Sequence, residues 1–312
     1  MLPQGMSLYG LIAPPGPSGF GYGSTAEQVT EGLSLAGKTL LVTGANAGLG
    51  AEALRVLALR GARVIGTART LEKARSACTG AAAALPLACE LSEPESVRGC
   101  IAAVKASGAR LDAIICNAGI MALPRLELAY GVEKHFFTNH IGHFMLVTGL
   151  IDQLTDAGRV VMLSSSAHRQ APQAGIEFDN LDGAKGYSAW SAYGQSKLAN
   201  LLFAKELSRR FQGSKRTANA VHPGVIRTSL QRHMNPLLSA TLAVFGPIGL
   251  KSVGEGAATE VYAATHPLLA DVSGEYLANC NLAKPRADAN DPALSKRLWN
   301  VSEQIVAGLP AS

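Results

Sequence analysis

The chain has 312 residues, 47% of them hydrophobic and 5% aromatic, with 28 basic and 23 acidic side chains and a net charge of +5. That length and apolar fraction suit one large α/β domain with an aliphatic core. No Lys/Arg cluster is long enough for a nucleic-acid surface, so the charge excess reads as a mild attraction for an anionic small molecule. Five scattered cysteines (Cys78, Cys89, Cys100, Cys116, Cys280) suggest no disulfide framework and fit a reducing compartment, here taken as the cytoplasm.

Residues 1–36 read as an N-terminal extension and 37–312 as a single domain. The extension is rich in Gly and Pro (Ala13-Pro14-Pro15-Gly16-Pro17-Ser18-Gly19) and is expected to be irregular or draped over the body. It lacks a basic start followed by an apolar run, so no signal peptide is expected. No stretch of about 20 apolar residues occurs, so no transmembrane helix is expected.

Thr39–Thr43 reads as a short buried parallel strand, and residues from about Gly48 to Arg60 as a helix with Leu54, Leu57 and Ala58 on one face. Between them lies Thr43-Gly44-Ala45-Asn46-Ala47-Gly48-Leu49-Gly50. Glycines spaced in this way let the backbone turn sharply and a pyrophosphate come close, while the helix start offers its N–H groups to the anion. A ligand-free β-to-α turn has the same spacing, but the strand before and the helix after favour a dinucleotide. The second strand, residues 62–68, ends at Arg69 and not at the carboxylate that would bind an adenosine ribose 2′-hydroxyl. A guanidinium there suits a 2′-phosphate, which points to NADP(H) rather than NAD(H). A solvated loop charge is the plain alternative.

Further strands are expected near 84–88, 112–116, 158–164, 216–221 and 274–278. Together they predict a doubly wound, mostly parallel seven-stranded sheet with helices on both faces. A long helix is expected from about Ala129 to Gln153. Asn139 lies inside it as a poor helix former, marking a local break that holds a water. His140 and His143, three apart, lack the carboxylate or cysteine partners of a metal site. Ser165 follows the apolar run Arg159–Leu163 at a strand's carboxyl end, where ligands of open α/β sheets bind. Its hydroxyl can donate to a carbonyl oxygen, or simply end the strand.

Tyr193 and Lys197 are four apart in a helical pattern and so share a face. A neighbouring ammonium favours the phenolate, and lowering a Tyr by about three units takes roughly 4 kcal/mol, plausible for a buried Lys plus the positive nicotinamide ring and implausible for an exposed pair. Such a phenol serves as general acid for ketone reduction or general base for alcohol oxidation. Alone, Tyr-x-x-x-Lys is a weak pattern. Residues of about 230–250 include the apolar run Leu237–Ile248, read as a lid over a hydrophobic carbonyl or alcohol. Packing on the core or a second subunit, and peripheral membrane docking, are its other readings. Phe178, Tyr187 and Trp190 are candidates for the substrate entrance.

Thr43 to Gly50, Asn117-Ala118-Gly119, Asn139, Ser165, Tyr193, Lys197 and Pro223-Gly224, in this order, resemble the short-chain dehydrogenase/reductase family over about residues 25–305. Ser24–Gly32, Asn139–Phe144 and His222–Thr228 are similar to its retinol-dehydrogenase and WW-domain-oxidoreductase branch. The resemblance implies a Rossmann-type oxidoreductase whose catalytic set is Asn139, Ser165, Tyr193 and Lys197. Tyr193 would be the acid/base. Lys197 would lower its pKa and bind the nicotinamide ribose. Ser165 would orient the carbonyl, and Asn139 would anchor a proton-relay water. For the cofactor it implies Gly44, Asn46, Ala47, Gly48, Leu49, Gly50, Arg69, Glu90, Leu91, Asn117, Ala118, Gly119, Pro223, Gly224, Val225 and Thr228. Glu90 stands where the family usually has Asp, and Cys116 where it has Asn. Pairing of subunits through the Asn139 and Tyr193 helices, as in many relatives, would make a homo-oligomer. The reading from another class is an NADP(H)-binding sensor or scaffold without turnover, against which the full Asn-Ser-Tyr-Lys set argues.

Overall fold

Aliphatic runs too short for buried helices pair side by side. A computed structural model describes residues 8–81, 83–226 and 250–310. Its main strands are Thr39–Val42 (β1), Arg63–Ala68 (β2), Leu85–Ala88 (β3) and Leu111–Cys116 (β4). A small hairpin, Leu128–Ala129 (β5) and Val132–Glu133 (β6), precedes Leu154–Leu163 (β7), Thr217–His222 (β8), Tyr276–Ala278 (β9) and Asn281–Leu282 (β10). The large sheet has the order β10-β9-β8-β7-β4-β1-β2-β3, parallel throughout except for the β9–β10 pair. It has eight strands where the sequence pattern predicts seven. The added β10 has two residues, too few to show an alternating pattern, and turns back through Asn279 and Cys280 at φ 53° and 60°.

Alternate side chains of one strand serve opposite faces. Leu40 and Val42 join the core under Gly48–Leu59 (α2), whereas Leu41 joins the other one. That other core is covered by Pro94–Ala106 (α4), Gly142–Leu150 (α6) and Ala189–Arg210 (α7). The short helices Leu8–Ile12 (α1), Leu71–Cys78 (α3) and Lys134–Phe136 (α5) complete the series before α7, with Val253–Thr265 (α8) and Pro292–Ala307 (α9) after it. The chain runs from β1 outward to β3 and returns to β4 beside β1. The carboxyl ends of β1 and β4 therefore flank a topological switch point, where open α/β sheets bind ligands.

The helix expected from Ala129 starts later. Tyr130 and Gly131 take φ 52° and 78° and close the β5–β6 hairpin. The helix begins at Lys134, where the buried Glu133 carboxylate accepts from the N–H groups of His135 and Phe136. Charge at a helix start is stabilised by those free N–H groups and the helix dipole. The helix widens into a π turn over Phe137–Ile141 before α6 resumes. The residue expected to break the helix, Asn139, lies within that turn.

The extension is tied to the body. Ala26 N donates to Gly254 O (2.9 Å), Ser18 N to Asn281 Oδ1 (3.0 Å), and Phe20 packs edge-on against Tyr262. The lid expected at 230–250 lies, Leu250 excepted, outside the described residues.

The backbone of Gly142 lies so close to Leu91 that an added Cβ would stand 2.3 Å from the Leu91 carbonyl oxygen. Gly142→Ala should therefore push α6 from the β3–α4 loop and lower unfolding stability by about 1–3 kcal/mol. An unchanged urea midpoint would show that the contact is not tight.

Candidate active site

The glycine turn leaves β1 at Thr43 and enters α2 at Gly48. Gly44 and Gly48 have φ of 68° and 56°, the left-handed region open to glycine. A Cβ on Gly50 would meet Asn117 Nδ2 and Gly44 O, both at 2.4 Å, so the turn closes on itself and on the Asn117 side chain of the post-β4 loop. Asn46 and Ala47 are exposed, and no side chain caps the first turn of α2. An uncapped start of this kind presents N–H groups to an anion. These residues fit a dinucleotide pyrophosphate. Arg69 is exposed at the end of β2.

Glu90 follows β3, but its carboxylate turns back to accept from Ser92 N (3.2 Å) and Ser92 Oγ (2.9 Å). Leu91 is buried under Gly142, and so it offers backbone only. After β4, Asn117 Nδ2 donates to Thr43 O (2.8 Å) and Ala118 N to Thr43 Oγ1 (3.0 Å). A Cβ on Gly119 would lie 3.0 Å from Asn139 Oδ1 and 3.3 Å from Lys197 Nζ, so the loop lies over the catalytic candidates.

Asn139 is fully buried, and its amide is fully engaged. Oδ1 accepts from Ile120 N (2.8 Å), and Nδ2 donates to Ile120 O (3.0 Å) and Ser196 Oγ (2.9 Å). Its backbone carbonyl meets His143 Nδ1 at 2.9 Å. His140 and His143 diverge: the former reaches Ser302 Oγ (2.8 Å), the latter Thr43 Oγ1 (2.9 Å).

The structure brings Ser165, Tyr193 and Lys197 together. Ser165 follows β7, and Tyr193 and Lys197 lie on one face of α7 with the Lys197 Nζ 5.7 Å from the phenol ring centre. A Cβ on Gly194 would lie 2.5 Å from Ala167 O, so the helix presses against the segment that follows Ser165. Lys197 Nζ donates to Leu163 O (3.0 Å), which also accepts from Asn200 Nδ2 (3.1 Å). Ser164 Oγ donates to Lys197 O (2.8 Å). The helix is thus laced to the end of β7.

The electrostatics depart from the expectation that Lys197 lowers the Tyr193 pKa. Burial pushes the phenol up to about 12, only partly opposed by its side-chain hydrogen bond with Ser165. Burial likewise brings the Lys197 ammonium down to about 8. Loss of hydration disfavours the charged form of both groups. At neutral pH the phenol is therefore protonated.

Pro223, Gly224 and Val225 follow β8, with Val225 58% exposed. Thr228 lies outside the described residues. Trp190 is exposed and packs edge-on near Tyr193. Tyr187 donates its hydroxyl to Leu123 O (2.7 Å), and Phe178 lies under the Arg297 guanidinium. Sequence reading missed three groups that organise the site: the hydroxyls of Thr43 and Ser196, and the ring of His143. For Thr43 and His143 the signal was a polar residue at the end of or within an apolar stretch; Ser196, between Gln195 and Lys197, had none.

A dinucleotide crevice beside half-buried Ser165 and buried Tyr193 and Lys197 defines an α/β oxidoreductase-type site. A sequence profile for short chain dehydrogenase matches residues 38–178. Short-chain dehydrogenase TIC 32 A, chloroplastic, of Brassica napus is 40% identical over 98% of this chain and 100% of its own. Retinol dehydrogenase 12 of Mus musculus is 38% identical over 89% of each chain. Among solved structures, a blue fluorescent protein from a metagenomic library, in complex with NADPH, is 25% identical. It superposes with a TM-score of 0.64 over 78% of this chain and 97% of that one. The chain belongs to the short-chain dehydrogenase/reductase family.

Because the Lys197 pKa falls to about 8 on folding from an ordinary 10.5, its charge opposes folding fully below pH 8, less between 8 and 10.5, and not above. Lys197→Met should therefore stabilise the ligand-free protein at pH 7 by about 1–3 kcal/mol, after loss of one hydrogen bond. The gain should shrink as pH rises to 10, read by urea unfolding at both values. A variant less stable than the parent at pH 7 would contradict the burial cost.

Proposed function

We propose that this protein is an NADP(H)-dependent carbonyl reductase, reversible as an alcohol dehydrogenase, acting on a small hydrophobic substrate. The observation that carries the reading is the neutral Tyr193 phenol, hydrogen-bonded to Ser165 with the Lys197 ammonium on the same helix face. A protonated phenol at neutral pH is the form a carbonyl reduction needs. The nicotinamide, when bound, supplies the hydride for the carbonyl carbon. Tyr193 gives its proton to the carbonyl oxygen as negative charge develops there. Ser165 donates a hydrogen bond to the same oxygen, and Lys197 keeps positive charge beside the phenolate left behind. Asn139 acts by holding the Ile120 backbone and Ser196 in place through its amide, while its backbone carbonyl meets His143.

Support for the phosphorylated cofactor comes from Arg69, from the lack of a carboxylate at the end of β2, and from the NADPH of the metagenomic neighbour. Gly44, Asn46, Ala47, Gly48, Leu49, Gly50, Asn117, Ala118 and Gly119 would hold its pyrophosphate and adenosine side, and Pro223, Gly224 and Val225 its nicotinamide end. Glu90, turned to Ser92, would contribute through backbone. An apolar substrate is supported by exposed Trp190 and Val225 near the site, by the apolar sequence 237–248, and by the names of the retinol dehydrogenase relatives. No helix among the described residues is long and apolar enough to cross a membrane. All five cysteines are free, which fits a reducing compartment such as the cytoplasm.

Tyr193→Phe should bind NADPH as the parent does and lose about 10²–10⁴ in kcat on a panel of aldehydes and ketones, followed by NADPH absorbance. Retained turnover refutes the acid/base role, and an inactive parent that still binds NADPH favours a sensor. Arg69→Asp should weaken NADPH about tenfold or more while changing NADH little; equal effects on the two would argue against the 2′-phosphate contact.

A further inference from the structure

His143 lies on α6 between Gly142 and Phe144, fully buried, in a run that continues Met145-Leu146-Val147. A polar ring in such a place is costly unless its nitrogens are satisfied. Both are, and the chemistry of the partners fixes the direction of each bond. The Asn139 carbonyl can only accept, so Nδ1, at 2.9 Å, carries the hydrogen. Nε2 then has a lone pair, and Thr43 Oγ1, at 2.9 Å, must donate to it. With its hydrogen spent, the Thr43 hydroxyl accepts from Ala118 N at 3.0 Å. From Asn139 the network continues through Nδ2 to Ser196 Oγ (2.9 Å) and from Ser196 to the Tyr193 carbonyl (2.7 Å).

We propose that His143 is a positioning residue that clamps the cofactor turn, through Thr43, to the π turn that carries Asn139, whose amide in turn reaches Ser196 on the acid–base helix. Apolar side chains of similar volume would fill the space, but none could join these two segments. Burial, together with the nearby Lys197 charge, holds the ring neutral, with its pKa down at about 4, so the acceptor lone pair toward Thr43 persists through the neutral range. The proposal rests on the reading of the site as a hydride-transfer centre, and its two links are separable by isosteric replacement. The amide of Asn occupies the place of Nδ1 and can donate to Asn139 O. The amide of Gln occupies the place of Nε2 and can accept from Thr43.

The test compares His143→Asn with His143→Gln, using NADPH binding by fluorescence titration, steady-state reduction of decanal and thermal unfolding. His143→Asn keeps the Asn139 link and loses Thr43. It should raise the NADPH Kd roughly five- to tenfold, the effect of one buried hydrogen bond, with kcat at saturating NADPH within about twofold of the parent. His143→Gln keeps the Thr43 link and loses Asn139. It should leave the NADPH Kd within about twofold and lower kcat roughly tenfold. A residue that merely fills the core would raise the NADPH Kd and lower kcat together, in step with melting temperature, in the two variants; that result, or no change in either, overturns the proposal. If His143→Asn does not fold, Thr43→Val, which keeps the side-chain shape, tests the same link, and an unchanged NADPH Kd there counts against the clamp. If the parent binds NADPH but reduces neither decanal nor any member of the carbonyl panel, the active-site reading fails. The clamp is then judged by the difference between the two His143 variants in NADPH Kd alone.

Discussion

Polar groups gathered at the carboxyl ends of β1, β4 and β7 have left water and must find partners inside the protein. Each partner found there fixes the position of another segment. Thr43 O takes the Asn117 amide, Leu163 O takes both Lys197 and Asn200, and the Ile120 backbone takes both ends of the Asn139 amide. An unpaired buried donor or acceptor costs about 1–3 kcal/mol, comparable to much of a domain's net stability. The loops around the crevice are thus held by the same requirement that holds a helix or a sheet, although they belong to neither.

That requirement also sets the chemistry. The hydrogen bonds anchor Lys197 and bring Tyr193 to Ser165, while the burial they demand raises the phenol pKa and lowers that of the ammonium. A static count of charges would predict the opposite for the phenol, because it omits the lost hydration. The phenol is protonated at neutral pH, the form that can donate a proton in the proposed reduction. The buried ammonium is costly to the fold, an expense of stability for function that active sites commonly show.

The plan of the fold was legible because each element carries its own signal. Thr39–Val42, Arg63–Ala68 and Leu111–Cys116 are apolar runs of strand length, and the glycines between β1 and α2 mark their own turn. Illegible parts lacked a local signal. Two residues of β10 cannot show a period, and the β5–β6 hairpin looked helical because its apolar residues also fit a helical stripe. The π turn was visible only as a poorly suited Asn139, whose side chain proved to hold the Ile120 backbone rather than stand free. Glu90 was noted as unusual in sequence, but only its fold back onto Ser92 shows where the longer side chain goes.

Sequence alone determined the class of fold, the dinucleotide turn, the position of Arg69 and the order of Asn139, Ser165, Tyr193 and Lys197, because backbone propensity, glycine spacing and i,i+4 periodicity act over a few residues. Tertiary structure decided the protonation of the phenol and of the lysine, the tautomer of His143, and which carbonyls receive which donors. These depend on solvent exclusion and on contacts between segments far apart in the chain, such as Thr43 with His143, 100 positions away, and no local pattern encodes either.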